Sequence, residues 1–332
     1  MRSLPALAAA AVAATLLLAG CAASGPDPSA TGAGSTAAAG CADSGSASKS
    51  VTVAGDVGAA PTTTFQGPYS IDTTERSIVT EGDGVELQTG DYALIDFAMY
   101  NGSTGKEVYS NFAGSGQQPL VLQVDEKQFL KGIVEAVNCV KVGSRVVAVI
   151  PPAEGFGDQG NTDLGVSAAD SLVMVADVRM SSDVDHATGE DQAPEDGFPS
   201  VALDDTAMPT ITIPQADPPT DLALEVLKKG DGSEVADGDT VMVQYQGVIW
   251  RTGAVFDHSW NTRGPVAFGT KDVVKGFSAG LVGQTVGSQV LVVIPPDLGY
   301  GAAGNSTAGI QGTDTLVFVV DILATGATPD AG

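Results

Sequence analysis

Histidine and cysteine carry much of the nucleophilic and metal chemistry of proteins, and this 332-residue sequence holds only 2 His and 3 Cys. No grouping of them has the spacing of a zinc site, so no metal is expected. Asp257-His258-Ser259 puts three relay residue types in a row. Neighbours in an extended strand point to opposite faces, so these three cannot form an acid–base–nucleophile relay. "GYGAAG", from Gly299 to Gly304, follows Pro295-Pro296 and opens no helix, so it is not a phosphate-binding loop. What remains is aromatic side chains and one acid. That inventory suits a reaction that needs neither nucleophile nor cofactor.

The elements that must position such residues are mainly strands. Val241, Val243, Tyr245 and Ile249 alternate with Met242, Gln244 and Gln246, which predicts a strand with one buried face. Leu316, Phe318, Val320 and Ile322 repeat the alternation. Val290 to Ile294 is a short apolar run stopped by Pro295-Pro296, because proline has no N–H for the ladder. "KGFSAGL", Lys275 to Leu281, is the helical candidate, with Phe277 and Leu281 on one face. Short antiparallel strands plus a covering helix give an α+β fold.

The chain contains this pattern twice. "AVIPPAEGFGDQG" (Ala148 to Gly160) matches "VVIPPDLGYGAAG" (Val292 to Gly304). Lys131-Gly132 pairs with Lys275-Gly276 and Val142-Gly143-Ser144 with Val286-Gly287-Ser288, and the register then holds without a gap to Asp177 and Asp321. A repeat this long means two domains of one fold, over 56–180 and 204–325. The first copy has a few extra residues between Ser110 and Lys127. The acidic, proline-containing stretch 181–203 is expected to be a linker with His186 solvated, and 326–332 a tail.

Formal net charge is −25, which excludes nucleic acid as a partner, since phosphate contacts need clustered Lys and Arg. Residues 1–20 have the layout of a secretory signal: Arg2, then the apolar run Leu4 to Ala19. "LLAGC", ending at Cys21, resembles the bacterial lipobox, in which the Cys is lipidated and becomes the first residue of the mature chain. An ordinary cleaved signal with an incidental Cys is the other reading. Lipidation at Cys21 implies an extracytoplasmic protein held to the cell membrane by its lipid. The Ala-, Gly- and Ser-rich stretch 21–55 is expected to be a flexible tether. Cys41 and Cys139 are free to pair in that compartment, or to remain two thiols. Oligomeric state stays open.

"VQYQGVIWRTGAVFDHSW", "VVKGFSAGLVGQTVGSQVLVVIPPDLGYG" and "TDTLVFVVDIL" resemble the FKBP-type peptidyl-prolyl cis-trans isomerases, over essentially all of 221–323. The resemblance implies two FKBP-like domains, each a twisted antiparallel β-sheet wrapped around a short α-helix, with an aromatic pocket between helix and sheet. It implies catalytic roles for Tyr245, Phe256, Asp257, Phe277, Tyr300 and Phe318, and substrate binding at Val273, Val274 and Ile310. Phe277 is a departure, since the family usually has Trp at the pocket floor. The implied function is prolyl isomerisation of exported, proline-containing polypeptides. The rival reading is a lipoprotein that binds peptide or ligand without turnover.

Carried onto the first copy, the same positions read Phe97, Val108, Tyr109, Ile133, Phe156 and Met174. The acid, the hydroxyl at Tyr300 and the aromatic floor are all gone. The first copy is therefore expected to be a degenerate domain, and activity to lie mainly in the second.

Overall fold

In the computed structural model, residues 40–328 are described. Cys21 and the signal lie outside them. The first copy contains β1 (Thr52–Ala54), β2 (Thr62–Thr64), β3 (Glu75–Thr80), β4 (Tyr92–Asn101), β5 (Glu107–Ser110), β6 (Leu120–Gln123), β7 (Arg145–Ile150) and β8 (Leu172–Ser182). Its helices are α1 (Ser46–Ser50) and α2 (Lys131–Val137). The second contains β9 (Glu190–Asp191), β10 (Ser200–Leu203), β11 (Pro209–Thr212), β12 (Ala223–Lys229), β13 (Asp239–Ile249), β14 (Val255–His258), β15 (Val266–Gly269), α3 (Lys275–Leu281), β16 (Gln289–Ile294) and β17 (Leu316–Ala327).

Each copy builds one large antiparallel sheet, in order β3-β7-β8-β4-β5 and β14-β13-β17-β16-β12-β9, with β6 and β15 pairing onto β4 and β13, and one two-stranded sheet, β1-β2 and β10-β11. The registers are equivalent: Phe97 faces Ala176 as Tyr245 faces Val320. On the inner face α2 and α3 lie against β7 and β16. Helical glycine costs about 1 kcal/mol relative to Ala, yet α3 has Gly276 and Gly280. A Cβ on either would collide with Ile294 or Val292, so these glycines let the helix backbone rest directly on β16.

The expectation of a one-faced strand at β13 is corrected. Met242, Gln244 and Gln246 are as buried as Val241 and Val243. The outer face is covered by the chain preceding each sheet. Gln246 Nε2 donates to the Pro209 carbonyl oxygen at 2.8 Å and Gln244 accepts from Ser259 Oγ, while Gln246 Oε1 is buried without a partner. Ile211 and Trp250 pack on Leu291, Val293, Val317 and Val319.

The tether and linker boundaries move for the same reason. Residues 41–55, expected in a flexible tether, are folded onto the first domain. Cys41 forms a disulfide with Cys139 (Cα–Cα 5.8 Å), and Ala47 and Val51 pack beneath Tyr100 and Phe112. Asp177 is paired at both oxygens by the fully buried Arg145 (2.6 and 2.7 Å) and also accepts the Gly58 N–H at 2.6 Å. The acidic stretch 181–203 likewise straps the second domain. Asp321 accepts the Ala187 N–H and Gln289 Nε2, each at 2.7 Å. β9 adds to the edge of β12. His186 is half-exposed beside Asp185.

The two copies also touch each other through equivalent patches. Leu94 and Met180 of the first meet Met242 and Ala324 of the second, with Ala267 and Leu323 completing the cluster. Leu94 is the repeat counterpart of Met242 and Met180 that of Ala324, so the contact is nearly isologous.

Candidate active site of the second domain

The inner face of β13 carries Tyr245, and β17, paired with it, carries Phe318. α3 aims Phe277 at both rings. Phe277 and Phe318 meet edge-on with centroids 5.0 Å apart, and Phe256 of β14 meets Phe318 at 5.4 Å. Tyr245 lies 6.2 Å from Phe277 and 6.3 Å from Phe318. Edge-to-face contacts at these separations hold a rigid apolar floor. Val273 and Val274 stand half-buried immediately before α3, and Ile310 is buried in the same cluster as Tyr245, Phe277 and Phe318.

At one rim the Tyr245 hydroxyl donates to Asp257 Oδ2 at 2.5 Å. Arg263 Nη2 donates to the same hydroxyl at 2.5 Å and to Asp257 Oδ1 at 3.2 Å. Burial, and then the adjacent carboxylate, push the Tyr245 phenol well above the usual tyrosine range, so it stays protonated. The other rim is the loop after β16. Its two prolines end the strand, and Tyr300 follows at φ −88°, ψ 2° with its side chain 37% exposed.

Asp257, His258 and Ser259 diverge as the strand alternation requires. Asp257 faces Tyr245, His258 Nδ1 lies 2.9 Å from the Trp260 carbonyl oxygen, and the buried Ser259 hydroxyl donates to Gln244.

The two copies share this backbone and differ in what it carries. Phe156 occupies φ −83°, ψ 2°, the conformation of Tyr300, but it packs into the core. Where Tyr245 bonds Asp257, Phe97 and Tyr109 stack at 5.0 Å and 28°. Met174 and Ile133, both buried, fill the places of Phe318 and Phe277.

Three contributors escape sequence reasoning on the residues alone. Arg263 sits in an exposed loop and reads as a solvated charge. Phe268 of β15 touches Tyr245 at 5.7 Å and Phe277 at 6.1 Å, but reads as ordinary core. Gly247 is the third: a Cβ there would come within 2.6 Å of Phe256 Cζ and 2.8 Å of Phe318 Cε1. Its counterpart in the first copy is Met99, buried in that core. The presence of glycine in one repeat and methionine in the other was the available signal.

The sequence pattern of the FKBP-type peptidyl-prolyl cis-trans isomerases matches residues 84–174 and 232–323, more than half of the chain. The chain belongs to this family. Among curated FKBP relatives, an FK506-binding protein of Streptomyces anulatus is 39% identical over 118 residues, covering 35% of this chain and 95% of that protein. The FKBP-type isomerase FkpA of Escherichia coli K12 is 38% identical over 112 residues, 34% of this chain and 40% of that protein. The crystal structure of FkpA from Escherichia coli aligns with TM-score 0.31 and 32% identity, over 41% of this chain and 55% of that one. Both repeats are FKBP domains, and the chain is an isomerase of proline-containing polypeptides.

Proposed function

We propose that this FKBP-type isomerase turns over X–Pro bonds at the Tyr245–Phe318 pocket of its second domain and that the first domain is catalytically silent. The carrying observation is the replacement of the Tyr245–Asp257–Arg263 hydrogen-bond network by the Phe97–Tyr109 stack on the same backbone.

The chemistry follows from the amide. Its partial double bond sets a barrier of ~18–20 kcal/mol. Uncatalysed exchange takes tens to hundreds of seconds, and turnover at ~10–10³ s⁻¹ needs that barrier lowered by roughly 4–7 kcal/mol. Twisting the bond removes resonance and reduces its dipole. An apolar, water-poor site therefore binds the twisted amide better than the planar one. Phe256, Phe277 and Phe318 supply that surface, with Val273, Val274 and Ile310 seating the proline. Tyr300, whose hydroxyl stands at the rim, donates to a substrate carbonyl. Asp257 holds the Tyr245 hydroxyl in place and orders the opposite rim. No step requires a nucleophile or a proton transfer.

We further infer that the chain is anchored by lipid at Cys21 to the outer face of the cell membrane, where it assists the folding of exported proteins. "LLAGC" supports the anchor, and the Cys41–Cys139 disulfide supports an oxidising compartment. Slow prolyl isomerisation limits the folding of newly translocated chains.

Two measurements test these readings. In a protease-coupled assay, fragment 184–328, which retains its strap, is expected to turn over X–Pro peptides while 40–183 does not. Comparable turnover by both would overturn the assignment. Cys21→Ser is expected to abolish acyl labelling and membrane partitioning; unchanged labelling would remove the anchor.

A further inference from the structure

The loop that carries Arg263 is anchored at both ends. At one end Ser259 is buried beneath the pocket, donating to Gln244 and accepting the Tyr245 N–H at 2.9 Å. The other end does not rest on its own domain alone. Ala267 belongs to the cluster that joins the two domains, and Tyr92 of the first domain packs against that cluster. Tyr92 Cε1 also overlooks Gly264, where an added Cβ would come within 3.8 Å of it. Gly264 has φ 70° and Asn261 φ 56°, so the loop makes left-handed turns on both sides of Arg263. Asn and Gly are the residues that make such turns at least cost.

The contact is secured nearby. Arg179 of β8 donates to Asp96 at 2.6 Å and, across the interface, to the Ala327 carbonyl oxygen at 3.0 Å. The first domain thus presents a braced surface to the far end of the Arg263 loop.

We propose that Tyr92 of the first domain is a positioning residue for the second: it fixes the loop that places Arg263 on the Tyr245 hydroxyl and Asp257. This rests on the assignment of the active site to the second domain. It gives the degenerate repeat a specific role, as a buttress for its neighbour's pocket. The half-exposed Arg263–Asp257 pair contributes little by itself in water. Its geometry depends on what holds the loop.

The test is a double-mutant cycle in the full chain, read as kcat/KM on an X–Pro peptide with unfolding measured alongside. Arg263→Ala is expected to lower kcat/KM about tenfold, as loss of a charge-assisted hydrogen bond does. Tyr92→Ala is expected to lower it about threefold, a fraction of that loss, and to add nothing in the Arg263→Ala background. Tyr92→Phe keeps the ring edge and is expected to restore full activity. If Tyr92→Ala weakens folding, Tyr92→Leu keeps apolar bulk at the interface but lacks the ring edge over Gly264, and is expected to show the same threefold loss. Wild-type activity in Tyr92→Leu, or an equal loss with and without Arg263, overturns the positioning role while leaving the active-site assignment intact. Full activity in Arg263→Ala overturns the rim network itself, and the positioning role with it.

Discussion

Gly247 in the second repeat stands where the first has the buried Met99. The T-shaped contact of Phe256 with Phe318 exists because no Cβ stands between them. Gly247→Ala is expected to displace both rings and lower kcat/KM, while its counterpart change, Met99→Ala, leaves activity intact. Phe277→Ala opens a void in the floor and is expected to lower activity and to cost about 3–5 kcal/mol of stability. Unfolding and turnover must be measured together, and normal turnover in a folded Phe277→Ala would refute the apolar-floor mechanism. Tyr300→Phe removes one neutral hydrogen bond, about 0.5–1.5 kcal/mol, so its loss in kcat/KM is bounded at roughly tenfold. The aromatic and acidic members were legible through a family resemblance that fixed their positions. Arg263 and Gly247 were not, because an exposed charge and a strand glycine have no periodicity to betray them.

At the scale of elements, the straps govern how each sheet is closed. Alternation at β13 suggested one wet face, because glutamine reads as polar. The chain before the sheet bonds Gln246 through Pro209 and the loop after β14 bonds Gln244 through Ser259, long-range events that no local window contains. Low-complexity composition misled in the same way: Ala47 and Ser48 cannot build a core alone, but they can cover one. The straps end differently on their buried aspartates. Asp177 meets Arg145, whereas Asp321 has an amide and a backbone N–H. Burial pushes the Asp321 carboxyl up to about 6, against which those two hydrogen bonds and the charges of His186 and Lys228 work. A raised carboxyl favours the protonated folded state, so this contribution is complete below the unfolded value. It is lost as pH rises from about 4 through about 6. Both tryptophans, Trp250 and Trp260, lie in the second domain, so their fluorescence isolates its unfolding. Stability is expected to fall across that window by at most about 3 kcal/mol, and Asp321→Asn to flatten the slope. An unchanged slope in the variant would place the titration elsewhere.

Across the whole molecule, two copies of one fold have divided the work. The repeat and the domain count were legible, since a gapless register cannot arise by chance. The interface between the copies was not, because alternation put Met242 on the exposed face of its strand, where a single apolar residue needs no partner. The Cys41–Cys139 bridge closes a separation of 98 residues, and disulfides over loops of that length contribute about 2–5 kcal/mol. Replacing both cysteines by serine is expected to lower the calorimetric melting temperature of the first domain. The central claim is that catalysis belongs to the second pocket alone, and one paired substitution in the full chain tests it most directly. Asp257 and Tyr109 occupy equivalent positions, so Asp257→Val and Tyr109→Val are matched changes. Asp257→Val is expected to lower kcat/KM on an X–Pro peptide by at least about tenfold, with Tyr109→Val at the wild-type value. Equal losses in the two variants, or a loss confined to Tyr109→Val, would contradict the account.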